Sequence, residues 1–312
     1  MPAFGSAGGG SSEPPFLFVV SDRSAMTAYC GWYSAAMNDI YTHGHHESVL
    51  RSHAWRTAGN SAAYLLGELH PGQRLLDVGC GPGTITLDLA RRVAPGQVIG
   101  IDAAPDVLRG ADDLRRQQGI ANVMFEPGDA YGLAYDDDSF DVIHLHQVLQ
   151  HLTDPVRALI ELRRVLAPGG VLGARDSDYA GFFWSPADPL LDRWLALYHE
   201  LTAHNGAVAD AGRELPGWVR AAGFADIAVT SSTWTFADPA SRAWWGGLWA
   251  ERVTQSSFAS QARAYGLSDD EELAAIAAAW HRWADVTDAV FVVPHVEILA
   301  RPGAAGDDAR AP

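Results

Sequence analysis

The sequence predicts an α/β fold, with a seven-stranded, mostly parallel sheet and helices on both of its faces. From Arg74 onward, short runs rich in β-branched residues alternate with helical segments, a pattern typical of successive βαβ units. The first of these strands runs directly into a glycine-rich turn. Hydrophobic residues (48%) and charged residues (19%) occur as in ordinary globular proteins. No apolar run approaches the roughly 20 residues that span a membrane.

The local pattern of apolar, β-branched and turn residues predicts each strand and each helix. The expected strands are 74–78, 97–102, 123–126, 140–146, 171–176, 227–231 and 291–299. The expected helices between them are 84–93, 105–118, 155–166 and 213–223. Pro168, Gly169 and Gly170 stop the third of these helices and turn the chain into the fifth strand.

The 312 residues suffice for one full-sized core and a substantial appendage. Met26, Tyr29, Tyr33, Met37 and Ile40 recur at spacings of three and four, which predicts a helical segment before the sheet. Two connections are too long for plain loops, which favours a functional cap. The expected organisation is a disordered tail (1–21), a helical lid (22–66), a main domain (67–301) with cap insertions at 177–212 and 236–287, and a disordered tail (302–312).

The net charge and the cysteine content limit the kinds of molecule that this protein is expected to bind. A formal net charge of −16 without a basic stripe disfavours nucleic acids and anionic membrane surfaces. Of the two cysteines, Cys30 and Cys80, the second lies in the glycine-rich turn, where a disulfide would restrain a ligand loop. The first twelve residues lack the features of a secretory signal. We therefore expect a cytoplasmic monomer or homodimer that binds small molecules.

The clearest motif is a strand that enters the glycine-rich turn, Leu75-Leu76-Asp77-Val78-Gly79-Cys80-Gly81-Pro82-Gly83-Thr84. Glycines permit the tight turn and close approach of a ligand, which the amides of the following helix then face. A nucleotide-like cofactor is expected there. The dinucleotide fingerprint needs a small residue where Thr84 stands, so the spacing argues against NAD. Asp102 closes the second strand, where an acid can bind both hydroxyls of a ribose. The alternative for Asp102 is a surface acid at a strand end.

Residues 60–176 resemble the class I S-adenosylmethionine-dependent methyltransferases, specifically their UbiE-like small-molecule branch, and thereby imply a Rossmann-like domain. The matching segments are Leu75–Gly83, Val98–Asp102, Gly128–Ala130, Phe140–Ile143 and Leu166–Gly170. The resemblance implies S-adenosylmethionine as cofactor, held near its ribose by Asp102 and near its adenine by Asp129. Asp77 is expected to order the glycine turn, and Arg56 of the lid to pair with the cofactor carboxylate. The implied cofactor residues are Asp77, Gly79, Gly81, Gly83, Asp102, Ala103, Gly128, Asp129, Ala130, His146, Gln147 and Arg56.

Methyl transfer from a sulfonium mainly requires alignment of acceptor, methyl and sulfur, with help from a general base for some acceptors. In similar enzymes His151 and Asp176 would lie near the acceptor; Asp178 is a weaker candidate. The alternative for His151 is a structural histidine at a helix start. His46 belongs to a cluster with His43 and His45 that serves the substrate, the lid surface or, as a third alternative, a metal; we expect no metal because no further ligands complete a set.

Five tryptophans lie in the second of the predicted cap insertions, residues 236–287. Trp244, Trp245 and Trp249 place at least two indoles on one helical face, and Trp280 with Trp283 repeats the arrangement. They either anchor the cap or line a cavity for a hydrophobic, aromatic acceptor. The expected substrate-binding residues are Tyr41, His45, Leu149, Phe182, Trp184, Trp244, Trp245 and Trp249.

The sequence therefore predicts a methyltransferase of secondary metabolism. Its alternatives are a quinone methyltransferase, a non-catalytic cofactor-binding scaffold and an NAD-dependent oxidoreductase.

Overall fold

The computed structural model describes residues 39–44 and 46–303. The predicted N-terminal tail, residues 22–38 of the predicted lid, His45 and residues 304–312 lie outside this part of the chain, as does Cys30.

Eight strands form one sheet. They are β1 (Leu75–Val78), β2 (Val98–Asp102), β3 (Val123–Pro127), β4 (Phe140–His146), β5 (Leu166–Ser177), β6 (Phe183–Ser185), β7 (Phe224–Phe236) and β8 (Val290–Pro302). The α-helices are α1 (Glu47–Ala54), α2 (Ala58–Ser61), α3 (Thr84–Val93), α4 (Pro105–Gln117), α5 (Pro155–Val165), α6 (Pro189–His204), α7 (Ala211–Ala221), α8 (Pro239–Gln255), α9 (Ser257–Ala264) and α10 (Asp270–Asp285). Short 3₁₀ helices lie at Ala63–Glu68, Leu149–His151 and Tyr179–Gly181.

The sheet has the order β3-β2-β1-β4-β5-β8, with parallel pairing from β3 to β5. β8 runs antiparallel to β5, and β7 pairs antiparallel along almost all of β8. Because β7 occupies one edge of β8, the short β6 pairs on the same edge as β5. The predicted mostly parallel α/β sheet is confirmed, with one additional short strand.

The chain before the sheet departs from the predicted continuous helical segment. α1 ends at Ala54, and a new helix begins after Thr57. The Thr57 side chain accepts a hydrogen bond from the Asn60 amide (3.2 Å), and the Asn60 side chain accepts one from the Thr57 amide (2.8 Å). This capping box favours a helix start at Ala58, which interrupts the helix that the apolar spacing predicts.

Both insertions are structured. Residues 177–212 contain β6 and α6, and residues 236–287 contain α8, α9 and α10, so the predicted cap is helical. Its core holds three fully buried indoles: the ring of Trp194 lies 4.5 Å from Trp249 and 4.9 Å from Trp280, in edge-to-face geometry. Such aromatic contacts combine large apolar burial with a preferred orientation and fix the cap against β8. Across the described residues, no helix is long and apolar enough to cross a membrane.

Truncation of the central indole tests this packing. Trp280→Ala is expected to lower the free energy of unfolding by about 3–5 kcal/mol, because it leaves a cavity among rigid aromatic neighbours. Met124→Ala, at a position that is 56% exposed, should change it by less than about 0.5 kcal/mol. Chemical denaturation monitored by circular dichroism measures both, and equal effects would contradict the assigned core.

Candidate active site

The turn after β1 is built from glycines with positive φ. Gly79, Gly81 and Gly83 have φ values of +66°, +53° and +78°, where side chains are strained. A Cβ on Gly79 would lie 2.5 Å from a methyl carbon of Val148, whereas one on Gly81 would approach only Nδ1 of His53, at 3.9 Å. Space therefore opens at Gly81. Gly83 precedes α3 without a side-chain cap, which leaves the first amides of that helix for a ligand.

Asp77 is buried beneath this turn. Its carboxylate accepts a hydrogen bond from the Thr86 hydroxyl (2.5 Å) on α3 and contacts Nδ1 of His144 (2.7 Å) on β4. It thus links three elements around the turn. The ordering role of Asp77 stays a prediction.

The ends of β2 and β3 lie beside the turn. The Asp102 carboxylate accepts hydrogen bonds from the amides of Gly81 (3.0 Å), in the glycine turn, and Ala104 (2.9 Å), which follows Ala103. The amide of Gly128 donates to the Asp102 carbonyl (3.2 Å), and the Asp129 carboxylate accepts from the Tyr131 amide (2.9 Å) next to Ala130. The predicted cofactor residues of three strands therefore converge at one edge of the sheet.

A cavity lies next to this edge, with a volume of about 520 Å³ that includes space open to solvent. Its walls come from the segment before α2, the ends of β4 and β5, the start of the first insertion, β7, β8 and α8. They consist of Tyr41, His43, Ser52, His53, Trp55, Arg56, Gln147, Gln150, His151, Ser177, Tyr179, Phe182, Trp234, Trp245, Trp249, Arg252 and Val293.

Two arginines give the cavity its charge. Nη2 of Arg56 donates to Oε1 of Gln147 (2.6 Å), and its guanidinium lies 5.5 Å from the centre of the Trp234 ring. Nη2 of Arg252 donates to the Ser52 hydroxyl (2.8 Å), and its guanidinium lies 4.7 Å from the Trp249 ring. Burial lowers the pKa of Arg56 to about 10 and also lowers that of Arg252. A guanidinium stays protonated at neutral pH in proteins, so each arginine carries a positive charge.

The histidines of the cavity are neutral. Burial, reinforced by Arg56, lowers the pKa of His151 to about 3. It also lowers the pKa of His43 and His53 well below 6.5, with further depression by Arg56 and Arg252. Nε2 of His43 lies 3.1 Å from the Tyr198 hydroxyl, and Nε2 of His53 lies 3.3 Å from that of Tyr41. At neutral pH the positive charge of the cavity therefore comes from its arginines.

Gln147 has an unusual backbone, with φ of +55°. Its amide donates to the Arg175 carbonyl (2.7 Å), and its side chain bridges Arg56 and Nε2 of His295 (3.0 Å). Nδ1 of His295 in turn lies 3.1 Å from the Val293 carbonyl, so this nitrogen carries the proton and Nε2 accepts from Gln147. A non-glycine residue held in this region by surrounding bonds is typical of functional sites.

The structure does not bring the three predicted catalytic residues together in one site. His151 lines the cavity. Asp176 does not: it precedes Ser177, which lines the cavity, and adjacent residues of a strand face opposite sides of the sheet. His46 also lies outside the wall, because it caps α1 by accepting a hydrogen bond from the Ser48 amide (3.2 Å).

Several expected ligand contacts also lie elsewhere. Leu149 is fully buried in the core around Leu159, since the 3₁₀ turn after β4 directs it inward. His146 is buried with its ring 5.7 Å from Trp234, behind the cavity wall. Trp184 stacks on Phe291, with 5.6 Å between ring centres.

Trp244 lies outside the cavity wall and packs against two of its residues, with ring centres 5.3 Å from Trp55 and 6.0 Å from Trp245. Tyr41, Phe182, Trp245 and Trp249 line the cavity, and their part in substrate binding stays a prediction. Sequence reasoning missed Trp234, Tyr179 and Arg252, which stand in segments without a motif.

Within residues 39–44 and 46–303, no group of three His, Cys, Asp or Glu side chains is arranged to hold a metal ion. Cys80 is a buried free thiol whose pKa is raised well above its usual range by burial.

Comparisons with known proteins show which family this chain resembles. A family model described as a methyltransferase domain matches residues 69–223. An uncharacterised methyltransferase of Schizosaccharomyces pombe is 34% identical over 273 residues, which cover 83% of this chain and 95% of the relative. A demethylmenaquinone methyltransferase of Geobacillus stearothermophilus is 31% identical over 180 residues, which cover 52% of this chain and 75% of the relative.

A solved structure shares the fold at low identity. Phosphoethanolamine N-methyltransferase 2 of Haemonchus contortus, in complex with phosphomonomethylethanolamine and S-adenosylhomocysteine, has a TM-score of 0.50 and 18% identity, covering 77% of this chain and 51% of that one.

The chain therefore belongs to the class I S-adenosylmethionine-dependent methyltransferases. The cofactor of this family is S-adenosylmethionine. The turn fits this ligand, because the space beside Gly81 is one that a Cβ would enter and because the Asp102 carboxylate lies 3.0 Å from the Gly81 amide, beside that space. S-Adenosylmethionine supplies a methyl group on a positively charged sulfur.

Two variants test the cofactor site. Asp102→Ala is expected to weaken S-adenosylhomocysteine binding at least about tenfold, because charge-assisted hydrogen bonds contribute roughly 1.5–3 kcal/mol each. Gly81→Val should abolish binding, since the side chain enters the ligand space at a positive φ. Asp106→Ala removes an exposed acid that forms an ion pair with Arg109 at 2.8 Å, and it is the matched control. Titration calorimetry with unchanged circular dichroism checks all three, and wild-type affinity in both site variants would contradict the assignment.

Asp176 should make stability depend on pH. Burial raises the pKa of Asp176 from 3.8 to about 8 and outweighs the backbone amides of Gln150 and Leu149, which face its carboxyl group and favour the charged form. Between pH 4 and 8 the folded carboxyl keeps a proton that the unfolded one releases, so the free energy of unfolding falls as pH rises. Asp176→Asn should flatten this decline in urea denaturation at pH 5 and 8. The same slope as in an Asp106→Asn control would refute the assigned protonation.

Proposed function

We propose that this methyltransferase acts on a hydrophobic small molecule with an aromatic ring system, bound in the cavity beside the cofactor turn. The observation that carries the proposal is the composition of the wall. Seven aromatic residues besides histidine, drawn from segments far apart in the sequence, meet there: Tyr41, Trp55, Tyr179, Phe182, Trp234, Trp245 and Trp249. Aromatic walls bury flat apolar surface and stack on rings.

Part of the polar lining of the cavity lies on the side that faces the sheet. Gln147, Gln150 and Ser177 come from the ends of β4 and β5, the same edge that carries the glycine turn. An acceptor stacked on the indoles would thus present a polar atom toward the cofactor side. The protein contributes alignment and exclusion of water, which are the main requirements of an in-line displacement.

His151 is the candidate to contact the reacting atom. Its Nε2 lies 3.0 Å from the amide nitrogen of Gln150, whereas its Nδ1 is buried without a partner in the described part of the chain. Because Gln150 donates through this amide, Nε2 of His151 accepts and Nδ1 carries the proton. With a pKa of about 3 the ring is a weak base, so we assign it the orientation of an acceptor oxygen rather than strong proton abstraction.

A quinone precursor is the second candidate, and the partial similarity to a demethylmenaquinone methyltransferase favours it. We also propose that the protein acts in secondary metabolism, that it is cytoplasmic and that it is a monomer or a homodimer. Both substrate candidates are aromatic, so the wall alone does not separate them.

An acceptor panel tests the function. Release of S-adenosylhomocysteine is measured with phenols, polycyclic aromatics, quinols, sugars and amino acids at equal concentration. Turnover is expected with the aromatic compounds and not with sugars or amino acids. Cofactor binding with no turnover on any member would favour a non-catalytic scaffold.

Single Trp→Leu variants test the cavity itself. Trp245→Leu and Trp249→Leu remove rings of the wall, and loss of roughly 1.5–3 kcal/mol of apolar contact predicts a KM at least about tenfold higher for one of them. Trp184→Leu, whose ring stacks on Phe291 away from the wall, should leave KM unchanged. Affinity for the cofactor should be unaffected in all three. If neither wall variant raises KM, the acceptor binds elsewhere.

A further inference from the structure

Arg252 stands out among the cationic groups of the molecule. It lies on α8, is 4% exposed and lines the cavity. Its Nη2 donates to the Ser52 hydroxyl (2.8 Å) and to the Ser48 carbonyl (3.3 Å), while its buried Nε has no hydrogen-bond partner in the described structure. An interior guanidinium is strongly destabilising unless its charge is balanced.

Within residues 39–44 and 46–303, no carboxylate forms an ion pair with Arg252, and none lines the cavity. Most other buried or half-buried arginines have a balancing partner. Arg175, for example, is equally buried and meets Glu297 at 3.2 Å. Arg242, on the same helix as Arg252, donates hydrogen bonds to two backbone carbonyls, those of Ala237 and Ala284.

Arg56 adds a second cation to the same cavity. Both guanidiniums lie near His43 and Tyr41. The charge of each lowers the pKa of His43 and opposes the rise that burial causes in the pKa of Tyr41. The cavity is thus electropositive inside a chain whose formal net charge is −16. Arg56 lies against Gln147 at the end of β4, on the cofactor side, whereas Arg252 lies against Trp249 on the cap side.

We propose that the acceptor carries an anionic group, such as a carboxylate, that pairs with Arg252 on the cap side of the cavity. This inference rests on the proposed function and narrows it to aromatic acids. The anionic group is a recognition element distinct from the atom that takes the methyl group, because Arg252 belongs to the cap and the polar residues near the cofactor belong to the sheet. Arg252 is then a specificity-determining residue.

Trp249 favours such a ligand further. The guanidinium packs on its indole ring, so that a flat aromatic acid whose anionic group meets Arg252 would extend along the same wall. The indole N–H groups of Trp245 and Trp249 are buried without partners in the described part of the chain. They are neutral donors that also suit an oxygen-rich ligand.

A matched pair of probes tests the charge preference without any variant. 2-Naphthoate and 2-naphthamide have the same ring and nearly the same shape, and differ in charge. With saturating S-adenosylhomocysteine present, quenching of tryptophan fluorescence should show at least about tenfold tighter binding of naphthoate to the wild-type protein. Equal binding of the amide would overturn the inference while leaving the aromatic cavity intact.

Variants assign the preference to one residue. Arg252→Gln should remove the preference for naphthoate, Arg252→Lys should keep part of it, and Arg242→Gln is the control for a buried arginine of the same helix and should keep all of it. A preference that persists in Arg252→Gln would overturn the assignment, as would a loss of S-adenosylhomocysteine affinity in that variant, since Arg252 would then serve the cofactor. Binding of neither probe to the wild-type protein would overturn the proposed aromatic acceptor itself.

Discussion

The position of the cavity depends on the antiparallel pairing of β8. Ser177, the last residue of β5, pairs with His295, so the first five residues of β8 extend beyond the end of β5. Phe236, the last residue of β7, pairs with Phe291. The chain therefore leaves β7 and returns to β8 at the edge of the sheet where the cofactor turn lies, and the three helices between them have to cover that edge. The register of one strand thus places α8 over the site.

Aromatic packing makes this placement rigid. Phe291 lies at the junction, with ring centres 5.2 Å from Trp280, 5.6 Å from Trp184 and 6.1 Å from Trp245. Trp245 belongs at once to the cap core and to the cavity wall. The sequence presents anchoring of the cap and lining of a cavity as alternatives for these tryptophans, and Trp245 does both within a single packed layer.

Local sequence patterns predict most of the fold and the cofactor turn. The glycines of residues 79–83 combine with β-rich runs and amphipathic helices, and each of these signals spans only a few residues. The cavity depends on contacts between distant segments, such as the bond from the Trp234 indole to the Asn60 carbonyl, across 174 positions. Arg252 gives no local signal of its own, because an arginine on a helix is ordinarily solvated. Its role follows only once α8 is seen to bury it.

Strand alternation explains why one predicted catalytic acid fails to reach the cavity although it stands at the correct end of its strand. Ser177 faces the cavity, and Asp176 therefore points to the other side, where burial holds its proton. With that acid removed from the cavity and its histidines neutral, no side chain of the described wall offsets the guanidiniums. S-Adenosylmethionine carries one carboxylate, one ammonium group and a positively charged sulfur, so its binding adds net positive charge beside the acceptor. The anionic acceptor that we propose would offset part of this charge, because a poorly solvated site holds opposite charges together more favourably than like charges.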